Sequence, residues 1–281
     1  MIKHYTPSDF SAVDEFFSTI DTGYKVINIE EIERDAGFFI LYVEGEVKGA
    51  AYAVLSVNES GEKQADLTIY VKPSYRNKGI GTELFRELSA YAERENQDVL
   101  TYHLQVDNGM SPSSFCRKNG LKKWWGSAGL FYKGSSLPEP EAEFELYNDK
   151  HFDQFVKVVQ DCYYHIQKSN DLKPYLASPE SVRTYQLRDP ENVYVLMDGN
   201  QIMASVSIGK GEVVNLMVSP YYQGRGLGRQ ALQFAVNSML EQGYEEIRIS
   251  YMDNNTAAEN LYYSTGFKFL QHTEVYRKYI N

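Results

Sequence analysis

Two stretches of this chain repeat each other, and that repeat limits the architecture more than any other feature. VKPSYRNKGIG, Val71 to Gly81, and VSPYYQGRGLG, Val218 to Gly228, share a Val, a Pro, a Tyr and both glycines in the same order. Farther on, Asp107-Asn108 matches Asp253-Asn254 at nearly the same distance past the glycines, and each pair precedes a short helical segment ending in Gly120 or Gly266. Self-similarity on this scale means one folding unit used twice. A length of 281 residues suits two such units of ~140 residues.

The order of elements repeats as well. Each copy carries an apolar hairpin, FFILYVEGEVKGAAYAV turning at Glu44-Gly45 and VYVLMDGNQIMASVSI turning at Asp198-Gly199, where the turn residues accept positive φ. A third strand follows each hairpin, Ala65 to Val71 and Glu212 to Val218, and runs straight into the glycine motif, after which a helix opens. In the second copy Leu227, Ala231, Ala235 and Met239, with Leu232, Val236 and Leu240 alongside, have helical spacing up to Gly243; Ile80, Leu84, Leu88 and Tyr91 do the same in the first. Ser8 to Asp35 and Asp149 to Arg188, ahead of the two hairpins, read as helical with acidic or polar faces. Between the copies, GSSLPEPEAE, Gly134 to Glu143, reads as a linker, which divides the chain into domains 1–136 and 137–281.

A net charge of -10 repels phosphate backbones, so nucleic acid is not expected as a partner. No apolar run approaches the ~20 residues of a membrane span, and MIKHYTPSDF lacks a signal-peptide core, so a cytoplasmic protein without a membrane partner is expected. Cys116 and Cys162 have no His or Cys at zinc-ligand spacing, which argues against a metal or a disulfide framework.

A strand that ends in a Gly-rich turn and opens a helix gathers backbone N–H groups and the positive end of the helix dipole at one point, a setting for an anionic pyrophosphate. The motif is neither a Walker loop, which ends in Gly-Lys-Ser/Thr, nor a dinucleotide fingerprint, which needs a third Gly and a later acid. Gln223-x-x-Gly226-x-Gly228 and Arg76-x-x-Gly79-x-Gly81 resemble the pyrophosphate motif of the GCN5-related N-acetyltransferases, GNAT. Asn254, then Ala258-x-x-Leu261-Tyr262-x-x-x-Gly266-Phe267, resembles that family's second conserved segment, and the tandem arrangement is similar to that of mycothiol synthase.

The resemblance implies an α/β (α+β) chain of two tandem acyl-CoA N-acyltransferase domains, each a mixed, mostly antiparallel sheet flanked by helices. It implies acetyl-CoA as acyl donor and an amine as acceptor, with no metal. In the second copy the pyrophosphate would rest on Gln223, Gly224, Arg225, Gly226, Leu227, Gly228 and Arg229, and the pantetheine arm would pass Met217, Val218, Asn254 and Ala258. The matching positions of the first copy are Val71, Arg76, Asn77, Lys78, Gly79, Ile80, Gly81 and Thr82. Two copies in one chain allow a monomer that is a pseudo-dimer of domains, or a homodimer.

Acetyl transfer from a thioester to an amine needs a deprotonated amine, a stabilised oxyanion and a proton for the departing thiolate. Thr256-x-x-Glu259 is a capping-box pattern that starts a helix with Ala258, Leu261 and Tyr262 on one face. By resemblance, Tyr262 holds the place of the general acid. The resemblance also makes Glu212, on the strand before the glycines, the candidate base and Asn215 a water or substrate ligand, with the oxyanion donor a main-chain N–H near Met217 or Val218. The first copy has Pro112, Phe115 and Cys116 where the second has Ala258, Leu261 and Tyr262, so it lacks the expected acid and reads as catalytically degenerate. A non-catalytic acyl-CoA-binding or interaction module is the alternative.

Overall fold

The computed structural model describes residues 1–20, 27–106 and 113–280. Asp107, Asn108 and Pro112 lie outside the described residues. Two compact units divide the chain: Met1–Trp124 with Glu274–Asn281, and Trp125–Thr273.

The first unit contains β1 (Ile2–His4), α1 (Phe10–Ser18), α2 (Ile29–Asp35), β2 (Phe38–Glu44), β3 (Glu46–Val57), β4 (Lys63–Val71), α3 (Ile80–Arg94), β5 (Val99–Val106) and α4 (Ser113–Lys118). Strand order is β1-β2-β3-β4-β5, antiparallel except that β4 and β5 run parallel. The hairpin β2–β3 turns at Gly45 with φ +74. Side chains on successive strand residues point to opposite faces, so α3 packs Leu84 and Leu88 against Ala51 and Leu67, while α1 and α2 set Phe16 and Ile32 against Leu41 and Ala50.

The second unit repeats this plan. Most of β6 (Lys122–Tyr132) belongs to it, followed by β7 (Glu145–Leu146), α5 (Phe152–Ser169), a single turn α6 (Pro179–Ser181), β8 (Val193–Asp198), β9 (Gln201–Gly209), β10 (Glu212–Val218), α7 (Leu227–Glu241), β11 (Ile247–Met252), α8 (Thr256–Thr265) and the start of β12 (Lys268–Tyr279). Strand order is β6-β11-β10-β9-β8-β7, with β10 and β11 the parallel pair. One face carries α7, whose Leu232, Val236 and Met239 pack on Val206 and Ile249. The opposite face carries α5, whose Phe155 and Val159 pack on Val193, Val195 and Met217.

The compact units do not divide at Leu137. The Pro- and acid-rich stretch lies inside the second unit because α7 binds it. Buried Asn237 accepts from Leu137 N–H (2.8 Å) and donates to Leu137 O (3.0 Å), and Ala142 N–H donates to Gln230 Oε1 (2.8 Å). The preceding β6 is held by an antiparallel ladder to β11 from Ser127↔Met252 to Tyr132↔Ile247.

Candidate functional site

The loop between β10 and α7 is shaped by two left-handed glycines, Gly224 (φ +75) and Gly226 (φ +81), where a side chain would be strained although the space around each is open. Gly226 caps α7 and its carbonyl takes the N–H groups of Arg229 (3.0 Å) and Gln230 (3.2 Å). The Gln223 side chain donates back to Val218 O (3.0 Å), which ties the loop to the end of β10. Among the described residues, the amides of Gly224, Arg225, Gly226, Leu227 and Gly228 find no backbone acceptor, as expected at a helix start. Gly228 is needed for a different reason: a Cβ there would sit 3.3 Å from Leu261. Free amides, a helix dipole and close backbone access fit an anionic pyrophosphate.

Beside this loop the parallel strands part. Only Glu212↔Arg248 and Val213↔Ile249 are in register between β10 and β11. At that point β10 carries a bulge: opposite β9, the register passes from Val213↔Ile208 to Asn215↔Ser207, which leaves Val214 unpaired and exposed. Ser219 N–H donates to Met203 O (2.9 Å), so the alternation of an antiparallel ladder turns Met217 towards β9 and directs the Val218 amide to the other side. That choice between Met217 and Val218 rests on pairing, which side-chain identity does not reveal.

The helix α8 follows the end of β11. It begins at Thr256 as the sequence predicts, but the cap is Asn255, whose side chain accepts from Ala258 N–H (3.2 Å). Glu259 does not close a capping box; it accepts from the Tyr251 hydroxyl (3.2 Å). Tyr262 projects into the core, 5% exposed, with edge-on contact to Tyr251 at 6.0 Å and a tilted contact to Phe267 at 6.2 Å. Burial alone pushes its hydroxyl up to about 12. Among the described residues nothing hydrogen-bonds that hydroxyl, so a neutral proton donor is left beside the parted strands. Tyr263, one position on, is exposed.

The α5 face brings in residues that the motif reading missed. Tyr163 donates its hydroxyl to Asn215 Oδ1 (2.7 Å), and Cys162 Sγ lies 3.4 Å from Val218 O. Burial raises the Tyr163 hydroxyl well above the ordinary tyrosine value, and the nearby Tyr262 adds to the rise. Asn215, Tyr163 and Tyr262 thus gather at the parted strands. Asn254 does not present a free amide there: it donates to Ser169 Oγ (2.8 Å) and accepts from Asn170 Nδ2 (3.1 Å) at the end of α5. Glu212 is exposed at the start of β10, on the stretch still laddered to β11. Val213 faces α7, so alternation puts Glu212 on the α5 face, shared with Asn215. His272 pairs its Nε2 with Asp253 Oδ1 at 2.7 Å, a partnership between segments that no local motif announces.

The first unit keeps the loop and changes the rest. Arg76 Nε donates to Val71 O (3.1 Å) as Gln223 does to Val218; Asn77 (φ 62) and Gly79 (φ 91) take the left-handed positions; Thr82 and Glu83 donate to Gly79 O at 2.9 and 3.0 Å. Ile80 is buried beneath the start of α3, and Lys78 lies 5.0 Å over the Tyr75 ring. A Cβ on Gly81 would meet Phe115 at 3.4 Å, the counterpart of the Gly228–Leu261 approach. Beyond the loop, β4 runs against β3 without a bulge, and Cys116 is fully buried with its thiol pushed up to about 12, chiefly by burial. Phe115 fills the space between Phe85 and Tyr102, at 6.0 and 5.7 Å.

The model of the acetyltransferase (GNAT) family matches residues 5–113 and 152–267. Mycothiol acetyltransferase of Renibacterium salmoninarum is 24% identical over 233 residues, which cover 78% of this chain and 68% of that protein. N-alpha-acetyltransferase 30 of Saccharomyces cerevisiae is 25% identical over 123 residues, 38% of this chain and 69% of that protein. In fold, a GCN5-related N-acetyltransferase from Sphaerobacter thermophilus superposes with a TM-score of 0.74 at 17% identity, over 99% of this chain and 95% of that one. A tandem GNAT protein from the clavulanic acid biosynthesis pathway gives 0.65 at 13% identity, over 99% and 98%. With the motif loop built twice and the family model matching both halves, the chain belongs to the GNAT acetyltransferase family as a tandem member.

Proposed function

We propose that the C-terminal copy transfers an acetyl group from acetyl-CoA to a primary amine of a small molecule or peptide by direct attack in a ternary complex. The observation that carries this reading is the Tyr262 hydroxyl, buried, protonated and without a hydrogen-bond partner among the described residues, beside strands that part at a bulge. Acetyl-CoA supplies the activated thioester. The amides of Gly224 to Gly228 hold its pyrophosphate, aided by the charges of Arg225 and Arg229. Val218 N–H polarises the thioester carbonyl, and Tyr262 delivers the proton to the leaving sulfur. Glu212, on the face it shares with Asn215, takes the amine proton through water. Ala258 leaves room beside Tyr262 for the pantetheine arm, and Asn254 holds that wall by its bonds to Ser169 and Asn170.

The N-terminal copy keeps a cradle in Val71 and Arg76 to Thr82 but has buried Cys116 in the acid's place, so it serves as a structural or CoA-binding partner. The protein would act in the cytoplasm as a monomer or homodimer. Steady-state CoA release with an acceptor panel tests the assignment: Tyr262→Phe should lower kcat about 10²-fold or more, while Cys116→Ser should leave it within twofold. Equal rates for wild type and Tyr262→Phe would remove Tyr262 from the mechanism.

A further inference from the structure

The bulge in β10 leaves an unused hydrogen-bonding site on the α5 face. Asn215 stands directly opposite Ser207 of β9, so the two side chains share one face of the sheet. The Tyr163 hydroxyl reaches Asn215 from above at 2.7 Å. Ser207 is 6% exposed and its Oγ has no hydrogen-bond partner. A buried hydroxyl left unpaired costs ~1–3 kcal/mol, a cost that an acceptor atom placed at Ser207 would remove. Because Asn215 Oδ1 accepts from Tyr163, the amide presents its Nδ2 as donor, and no described group accepts from it.

All three side chains are neutral, and none bonds a charged group among the described residues. The charge that β10 carries on this face is Glu212, which attracts an ammonium and repels a carboxylate. Donors that bond no cation, on a sheet face whose β10 charge is the carboxylate at the strand's start, suit an oxygen that is a good acceptor but carries no charge. Resting on the acetyltransferase reading above, we propose that Tyr163, Asn215 and Ser207 bind a neutral oxygen of the acceptor, so that the preferred amines carry a hydroxyl or amide oxygen next to the reacting nitrogen. Tyr163 acts here as a positioning residue: by holding Asn215 Oδ1 it leaves Nδ2 as the free donor on the face shared with Ser207.

Four probes separate the possibilities: glycinamide (amide oxygen), 2-aminoethanol (hydroxyl), glycine (carboxylate) and propylamine (no oxygen). Binding by calorimetry with CoA present and kcat/KM with acetyl-CoA are measured for wild type, Tyr163→Phe and Ser207→Ala, each checked for an unchanged thermal transition. The expected result is at least a tenfold preference of wild type for glycinamide or 2-aminoethanol over both other amines. In each variant that preference should fall to within threefold, with the KM for acetyl-CoA unaltered. A wild type that favours propylamine or glycine, or variants that keep the full preference, overturns the proposal. Absence of turnover with every amine counts against the transferase reading alone, because the binding series still decides the cluster: selective binding lost in Tyr163→Phe supports it, and unselective or undetectable binding refutes it.

Discussion

Tyr262 illustrates how a buried side chain stays a neutral proton donor because of what it lacks. Its hydroxyl sits at about 12 because burial penalises the phenolate, and no described partner offsets that penalty. The consequence for stability has a definite sign. The folded protein holds this proton more tightly than the unfolded chain, whose tyrosine titrates near 10, so the contribution is complete below pH 10 and disappears between pH 10 and 12. Tyrosinate absorbance of wild type minus Tyr262→Phe should therefore show a titration near 12. A step near 10 would mean that the ring is solvated. In the proposed mechanism, the same shift keeps Tyr262 protonated over the neutral range, so any alkaline loss of kcat below about pH 11 belongs to another group. The thiols follow the same physics. Cys116 and Cys162 are both pushed up to about 12 by burial, so an aromatic disulfide reagent at pH 8 should find almost no rapidly reacting thiol in the native protein and both once it is denatured.

At the scale of elements, the strand–loop–helix segment depends on backbone conformation more than on side chains. Gly226 has φ +81 with open space around it, so Gly226→Ala fails through strain, about 1–2 kcal/mol, and through a displaced amide. Calorimetry should show CoA binding weakened about tenfold or more, with only a modest fall in the urea midpoint. Gly228→Val acts sterically, because Leu261 already stands 3.3 Å from where a Cβ would go; the added branches push α8 away and carry Tyr262 with it. Its expected signature is a larger loss in kcat than Tyr262→Phe combined with weaker CoA binding. Asn237 is a third kind of dependence. This buried residue of α7 satisfies both backbone groups of Leu137, so Asn237→Leu leaves a part-buried donor and acceptor unpaired and should cost about 1 kcal/mol in urea unfolding. Tyr262-dependent turnover in the folded fraction should be retained.

At the scale of the whole molecule, the covalent order of the chain and its compact units do not coincide. Residues 125–132 of β6 precede the Leu137 stretch yet belong with the second unit, and Glu274–Asn281 belongs with the first. A chain begun at Leu137 would lose β6 and expose the backbone edge of β11, so it should be recovered mainly in aggregates, whereas one begun at Trp125 should fare better in soluble yield and far-UV signal. The sequence by itself determined the duplication, the hairpins, the glycine loops and the helical face of Ala258, Leu261 and Tyr262, because each is a local pattern: a period of 2 or 3.6, a positive-φ position, or a cap within a residue or so of its place. The difference between the copies at Tyr262 and Cys116 was legible for the same reason, being a comparison of residues at matching positions. What the sequence left open was decided between elements. The bulge at Val214, the orientation of the Val218 amide, the bond from Tyr163 to Asn215, the unpaired Ser207 and the binding of the Leu137 stretch by Asn237 all join residues far apart in the chain. Their energies come from pairing register and burial, quantities that exist only once the sheet has formed.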